Sequence, residues 1–272
     1  MAIALKQHQE ATSVTFKSIV GMAPYGNSVR RTVLVTGGTD EIGSAICKRM
    51  ADLGHFVATT YRNEDNARAW QDRMERDGYL FFIYKCDVEN FTESQNLIKD
   101  VVEDLGPIQI LINNAGITRD SNLCNRPFGQ WHDVVSNDLD GVFNVTCAAI
   151  EGMLATGFGR IVNISSISGQ KGQSGQASYS AAEAGIHGFT KALAQEVAKK
   201  GVTVNTISSG HVAMDMMMSV PENVRNSIIA QIPVGRLVKP EDVARAVSFL
   251  VAEEAGLITG ATIAANGEHF MQ

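Results

Sequence analysis

From Arg31 onward, short β-branched runs alternate with longer helix-favouring stretches, and few architectures accommodate that alternation. Residues 32–36 (TVLVT) read as a strand. A turn follows, then Ile42, Ile46 and Leu53 at helical spacing, closed by Gly54. Residues 56–61, 80–85, 108–113, 160–165, 202–207 and 261–265 supply six further strands. The charged stretch 64–76 reads as a helix, and Ala182, Ile186, Phe189, Leu193 and Val197 form an apolar stripe on a longer one. Strands joined through helices by short connections must run parallel with helices on both faces. The expectation is therefore α/β, a doubly wound parallel seven-stranded sheet, with ligands at the carboxyl ends of its strands near the point where strand order reverses. No linker or shift in composition divides residues 31–272, which read as one domain. Residues 1–30 read as an N-terminal extension, either flexible or an interaction arm.

Charge and cysteine usage narrow the function classes. The formal charge of −6 comes with no basic run and no aromatic-plus-basic patch, which argues against nucleic acid as a partner. No apolar run reaches membrane-spanning length, and residues 1–30 lack the apolar core and small-residue cleavage site of a secretory signal, so the expected location is cytoplasmic. Cys47, Cys86, Cys124 and Cys147 are scattered without a CxxC pair, as thiols in a reducing compartment would be. The six histidines show no metal-ligand spacing, and no metal is expected.

The first strand runs into Thr36-Gly37-Gly38-Thr39-Asp40-Glu41-Ile42-Gly43. A strand, a glycine-rich turn and a helix together present backbone N–H groups to a pyrophosphate, although such a turn is also a common structural device. The second strand ends at Arg62 with no acidic residue for a ribose 2′-hydroxyl. Arg62 is either a solvated loop arginine or a planar donor for a 2′-phosphate. Asp87-Val88 and Asn113-Asn114-Ala115-Gly116 follow two later strands, where small residues suit either close passage of an adenosine or a tight loop. Farther on, Ser166 precedes Tyr179 by thirteen residues, with Asn137 upstream and Glu183 four residues beyond the tyrosine.

These motifs together resemble the short-chain dehydrogenase/reductase family over roughly residues 31–270. The segments LINNAGITRD (111–120), GRIVNISSISGQKGQSGQASY (159–179) and LAQEVAKKGVTVNT (193–206) are similar to its acetoacetyl-CoA reductases and 3-oxoacyl-carrier-protein reductases. The resemblance implies a Rossmann fold, NADPH as cofactor and an acyl-CoA or acyl-carrier-protein thioester as substrate. It also implies assembly as a homotetramer or dimer. By it, Ser166 holds the substrate carbonyl, Tyr179 protonates the developing alkoxide and Asn137 holds a relay water. Gly37, Gly38, Glu41, Ile42, Gly43, Arg62, Asp87, Val88, Asn113, Ala115 and Gly116 take cofactor positions, and Asp120, Gln173, Gln176 and His211 lie along the acyl pocket.

Departures from the family pattern fall at functional positions. Glu183 stands where the family has lysine, and Glu41 where it has the middle glycine of the turn. Ser209-Gly210-His211 replaces Pro-Gly-Tyr, Met214 replaces a threonine, Ser174 an aromatic residue and Glu268 the last glycine of Asn-Gly-Gly. A carboxylate beside a tyrosine raises its pKa, the opposite of what an ammonium does. Lys171, in the intervening loop, is a candidate replacement cation, though it resembles a family residue that serves elsewhere. Two functions follow: an NADPH-dependent 3-oxoacyl thioester reductase, impaired in rate, or a catalytically degenerate subunit that pairs with an active relative.

Overall fold

The computed structural model describes residues 29–271. Residues 1–28 of the N-terminal extension lie outside the described residues. Seven parallel strands form one sheet in the order β3-β2-β1-β4-β5-β6-β7. They are β1 (Thr32–Val35), β2 (Phe56–Tyr61), β3 (Phe82–Lys85), β4 (Ile108–Asn113), β5 (Gly159–Ser166), β6 (Val202–Ser209) and β7 (Thr262–Ala265). The expected α/β Rossmann sheet is thus present, with its order reversing between β1 and β4.

Side-chain alternation explains why these strands are apolar throughout. Val33 and Val35 of β1 enter the core on one face, whereas Leu34 enters the core on the other. The first face is covered by α1 (Glu41–Asp52), α2 (Glu64–Arg76) and, late in the chain, by a helix at Pro240–Leu250. The second is covered by α3 (Phe91–Leu105), α5 (Gly141–Thr156) and α7 (Ala177–Val197). Between β4 and α5 lies α4 (Phe128–Val135), and the short α6 (Ser168–Lys171) follows β5. Beyond β6 come α8 (Asp215–Met218), α9 (Glu222–Ile229) and the late covering helix, α10.

Local capping places the helix starts. Asn63 accepts from the Asn66 N–H at α2, and Asn90 from the Thr92 and Glu93 N–H groups at α3. Residues Ser136–Asp140 form a π-turn between α4 and α5, which no periodicity in the sequence announces. Near the C-terminus, Glu268 adopts φ 64°, a left-handed conformation that costs a side-chain-bearing residue about 1 kcal/mol.

Candidate active site

The turn after β1 packs too tightly for side chains. A Cβ on Gly38 would stand 2.1 Å from Thr59 Oγ1, and one on Gly43 would stand 2.4 Å from the Gly37 carbonyl. Thr36 Oγ1 accepts from the Asn114 and Ala115 N–H groups, which holds the loop after β4 against this turn. Asn114 Nδ2 closes it further by donating to the Thr36 and Gly37 carbonyls and to Asp40. Asn114 had not been singled out. Its neighbour Asn113 faces the other way: its amide is buried and donates to Thr146 and Asn163, in a polar chain that continues to Thr190 and Thr206. Its side chain is therefore withdrawn from the cofactor position assigned to it.

The two acids of the turn are engaged by the protein itself. Asp40 caps α1 by accepting from the Gly43 N–H at 2.6 Å, and so takes up a donor that this helix end would otherwise offer an anion. Glu41 reaches across the cleft mouth and accepts from the Asp215 N–H at 2.9 Å. Farther along, Arg62 is 55% exposed and lies 4.0 Å from Glu89. Asp87 accepts from the Glu89 N–H, and Val88 packs against Gly141, leaving no room there for a side chain.

Ser166 ends β5, while Tyr179 and Glu183 lie one turn apart on the same face of α7. Glu183 is only 4% exposed and accepts from the Ser166 N–H at 3.0 Å. Burial pushes its carboxyl up to about 7. Ser166 and Glu183 both act on the Tyr179 hydroxyl, and its pKa is raised well above the usual value by burial and then by the charges of Glu183 and Asp138.

Asn137 does not join this group. Its amide donates to Glu89 at 3.2 Å. The π-turn instead brings the next residue, Asp138, toward the tyrosine. This residue is 1% exposed and accepts from the Ile117 N–H at 2.8 Å; burial, then the Glu183 and Glu89 charges, push its carboxyl up to about 8. The cluster is thus Asp138, Ser166, Tyr179 and Glu183, with no cation among the four. Lys171 supplies none either, because its Nζ lies 3.2 Å from His269 Nε2 at the exposed rim. The His211 ring lies 5.3 Å from that of His269, and Met214 packs into the first core face.

Ser166, Gln176 and Asp120, three of the site positions read from the sequence, are joined through Ser168 in one chain of hydrogen bonds. Ser166 Oγ accepts from the Ser168 N–H, Ser168 Oγ donates to Gln176, and the Gln176 amide donates to Asp120 at 3.0 Å. Gln173 is exposed beside them, its carbonyl accepting from the Gln176 N–H. Two hydroxyls beside an ordered polar wall can hold a carbonyl oxygen and donate hydrogen bonds to it. Among the described residues, no group of three acidic, histidine or cysteine side chains could hold a metal ion, and no helix is long and apolar enough to cross a membrane.

A dinucleotide fits this cleft poorly as arranged. The glycines and Arg62 suit one. However, Asp40 and Glu41 bring carboxyl groups to the glycine-rich turn, where a diphosphate needs donors, and like charges 4 Å apart repel by about 4 kcal/mol at an effective dielectric of 20.

Residues 38–267 match the family described as enoyl-(acyl carrier protein) reductase. An acetoacetyl-CoA reductase of Rhizobium meliloti is 51% identical over 242 residues, covering 88% of this chain and 98% of that protein. One from Allochromatium vinosum is 46% identical over 243 residues, 89% and 99% of the two chains. A 3-oxoacyl-[acyl-carrier-protein] reductase of Vibrio cholerae is 39% identical over 241 residues, 89% and 98%.

Proposed function

The chain belongs to the short-chain dehydrogenase/reductase family, and on that premise we propose that it acts on a 3-oxoacyl thioester of the acetoacetyl-CoA kind, as a reductase with a complete acyl end and an altered nucleotide end. The observation that carries this reading is the convergence of the Ser166 and Tyr179 hydroxyls beside the Ser168–Gln176–Asp120 chain. Both hydroxyls donate toward the 3-oxo oxygen, where negative charge develops on reduction. Tyr179 stays neutral in this acidic setting, and so keeps its proton available for that oxygen. NADPH is the hydride donor that the resemblance implies. The carrier is CoA or acyl carrier protein. The test is acetoacetyl-CoA turnover at saturating NADPH, alongside direct thioester binding: binding with slow turnover is expected, and absence of thioester binding would remove the proposal.

A second reading, a non-catalytic subunit paired with an active relative, is favoured by one observation: two buried carboxyl groups, Asp138 and Glu183, act on Tyr179. The relatives named as acetoacetyl-CoA reductases lend it no support. Turnover by the purified chain alone decides against it.

Cofactor choice gives a first expected result. NADPH binds weakly but better than NADH, and Arg62→Ala narrows the gap, because the exposed guanidinium suits a 2′-phosphate. Glu41→Gly tightens NADPH by removing the carboxylate that bridges to Asp215. Nicotinamide fluorescence titrations check both. Equal affinities for the two dinucleotides in the parent protein contradict the 2′-phosphate reading, and an unchanged dissociation constant in the glycine variant shows that the turn already accommodates its side chain.

Assembly gives a second. An apolar groove between α3 and α5 is lined by Ile98, Val102, Ala148, Gly152 and Ala155, and Phe143 of α5 is 50% exposed. Such surface favours burial against another copy. We expect a dimer or tetramer by light scattering, and a mass near 29.3 kDa at micromolar concentration would contradict it.

A further inference from the structure

Arg126 lies in the loop between β4 and α4 and bridges two separate segments. Its Nη1 donates to the Arg119 carbonyl at 2.6 Å and to Ser178 Oγ at 2.8 Å. Its Nη2 donates to the Ser121 and Gly175 carbonyls, both at 2.7 Å. Two of these acceptors flank Asp120. Of the other two, Gly175 directly precedes Gln176, and Ser178 lies two residues beyond it and immediately precedes Tyr179. Gly175 O additionally accepts from the Ser121 N–H at 2.9 Å, so the two segments are joined at a point that Arg126 covers.

Apart from Ser178, which stands in the first turn of α7, these contacts lie outside regular structure. Gly175 has φ 82°, and residues 117–122 are coil. Without a cross-link, each segment would sample several conformations, and the Asp120–Gln176 contact at 3.0 Å would be intermittent. A guanidinium suits the task because its planar fork presents several donors in fixed directions and stays charged at every working pH. A lysine has the charge but cannot span four acceptors on two segments from one point. Methionine would match the length and supply no donor.

We propose that Arg126 is a positioning residue of the acyl pocket, fixing Asp120 against Gln176 and thereby the wall that receives the acyl thioester. The proposal rests on the thioester reading above. Arg126 acts through the two loops: its four bonds go to backbone carbonyls and to the buried Ser178.

The test uses the full chain and its Arg126→Met and Arg126→Lys variants, with two readouts. Calorimetry measures acetoacetyl-CoA affinity, and amide hydrogen exchange follows segments 117–126 and 173–179 against β4 and β5 as internal controls. In Arg126→Met, affinity falls at least tenfold and exchange quickens in both loops while the strands keep their protection. In Arg126→Lys, one loop recovers part of its protection and affinity stays below that of the parent. Affinity within twofold of the parent in Arg126→Met, or quickened exchange spread through the strands, would overturn the proposal. A parent that binds no acetoacetyl-CoA defeats the thioester reading. The exchange comparison then decides the clamp alone: loss of protection confined to the two loops upholds it, and unchanged exchange removes it.

Discussion

Replacing Glu183 with lysine and Asp138 with asparagine together raises acetoacetyl-CoA reduction at saturating NADPH by a hundredfold or more, whereas Glu183→Lys alone gains about tenfold, equivalent to about 1.4 kcal/mol of barrier. The difference arises from what surrounds Tyr179. An ammonium at position 183 stabilises the phenolate and makes the tyrosine a stronger acid. In the single variant, however, that ammonium sits within the field of the buried Asp138 carboxyl, which interacts with both Glu183 and Tyr179. Much of its effect is spent on that neighbour. Asparagine at 138 keeps an oxygen for the Ile117 N–H and removes the charge. Positioned proton transfer is worth about 10²- to 10⁴-fold in rate, which bounds the recoverable gain. A double variant no faster than its parent locates the defect instead at Glu41, Met214 and His211. A parent already turning over at the speed of its reductase relatives overturns the impairment argument.

The sheet was legible because each strand is short, β-branched and bounded by a glycine or polar turn. Both faces of a parallel sheet are buried, so Val33, Leu34 and Val35 had to be apolar in succession. Helix positions followed from apolar spacing, and the structure adds the caps Asn63 and Asn90 that fix where two of the helices start. Ser166, Tyr179, Glu183 and the Asp120–Gln176 wall were also legible, because each lies at a strand end or on one helix face, where linear spacing converts directly to proximity.

Where linear spacing does not convert to proximity, the sequence misled. Asn137 and Asp138 are adjacent and both polar, and only the π-turn decides which one faces the tyrosine. Asn113 ends a strand at the expected place, but the pleat directs its amide into the buried chain through Asn163. Glu41 meets a partner 174 residues away, and Arg126 meets acceptors 49 and 52 residues away. Neither long-range contact has a local periodicity that would announce it.

The same buried acids set how stability changes with pH. A carboxyl whose folded pKa lies above its unfolded value binds more protons folded than unfolded, so its contribution falls as pH rises. For Glu183 and Asp138 that contribution is whole below about pH 4, near their ordinary values, and is lost as pH climbs through about 7 and about 8 respectively. Each unit of separation is worth about 1.4 kcal/mol, so Glu183 alone carries on the order of 3 kcal/mol. The two sites repel, and their joint effect is smaller than the sum. On the acid side the balance reverses. His187 is held below its usual value, first by burial and then by Lys191, and Asp242 well below its own by its bond to Arg236; both contributions are lost as pH falls. Urea denaturation should therefore show stability greatest near pH 5 to 6 and declining steadily to pH 9. Asp138→Asn with Glu183→Gln should flatten the alkaline limb, since the amides keep oxygens for the Ile117 and Ser166 N–H groups without ionising. A parent whose stability is level between pH 6 and 9, or a double variant that retains the full slope, would show that these two carboxyls do not carry it.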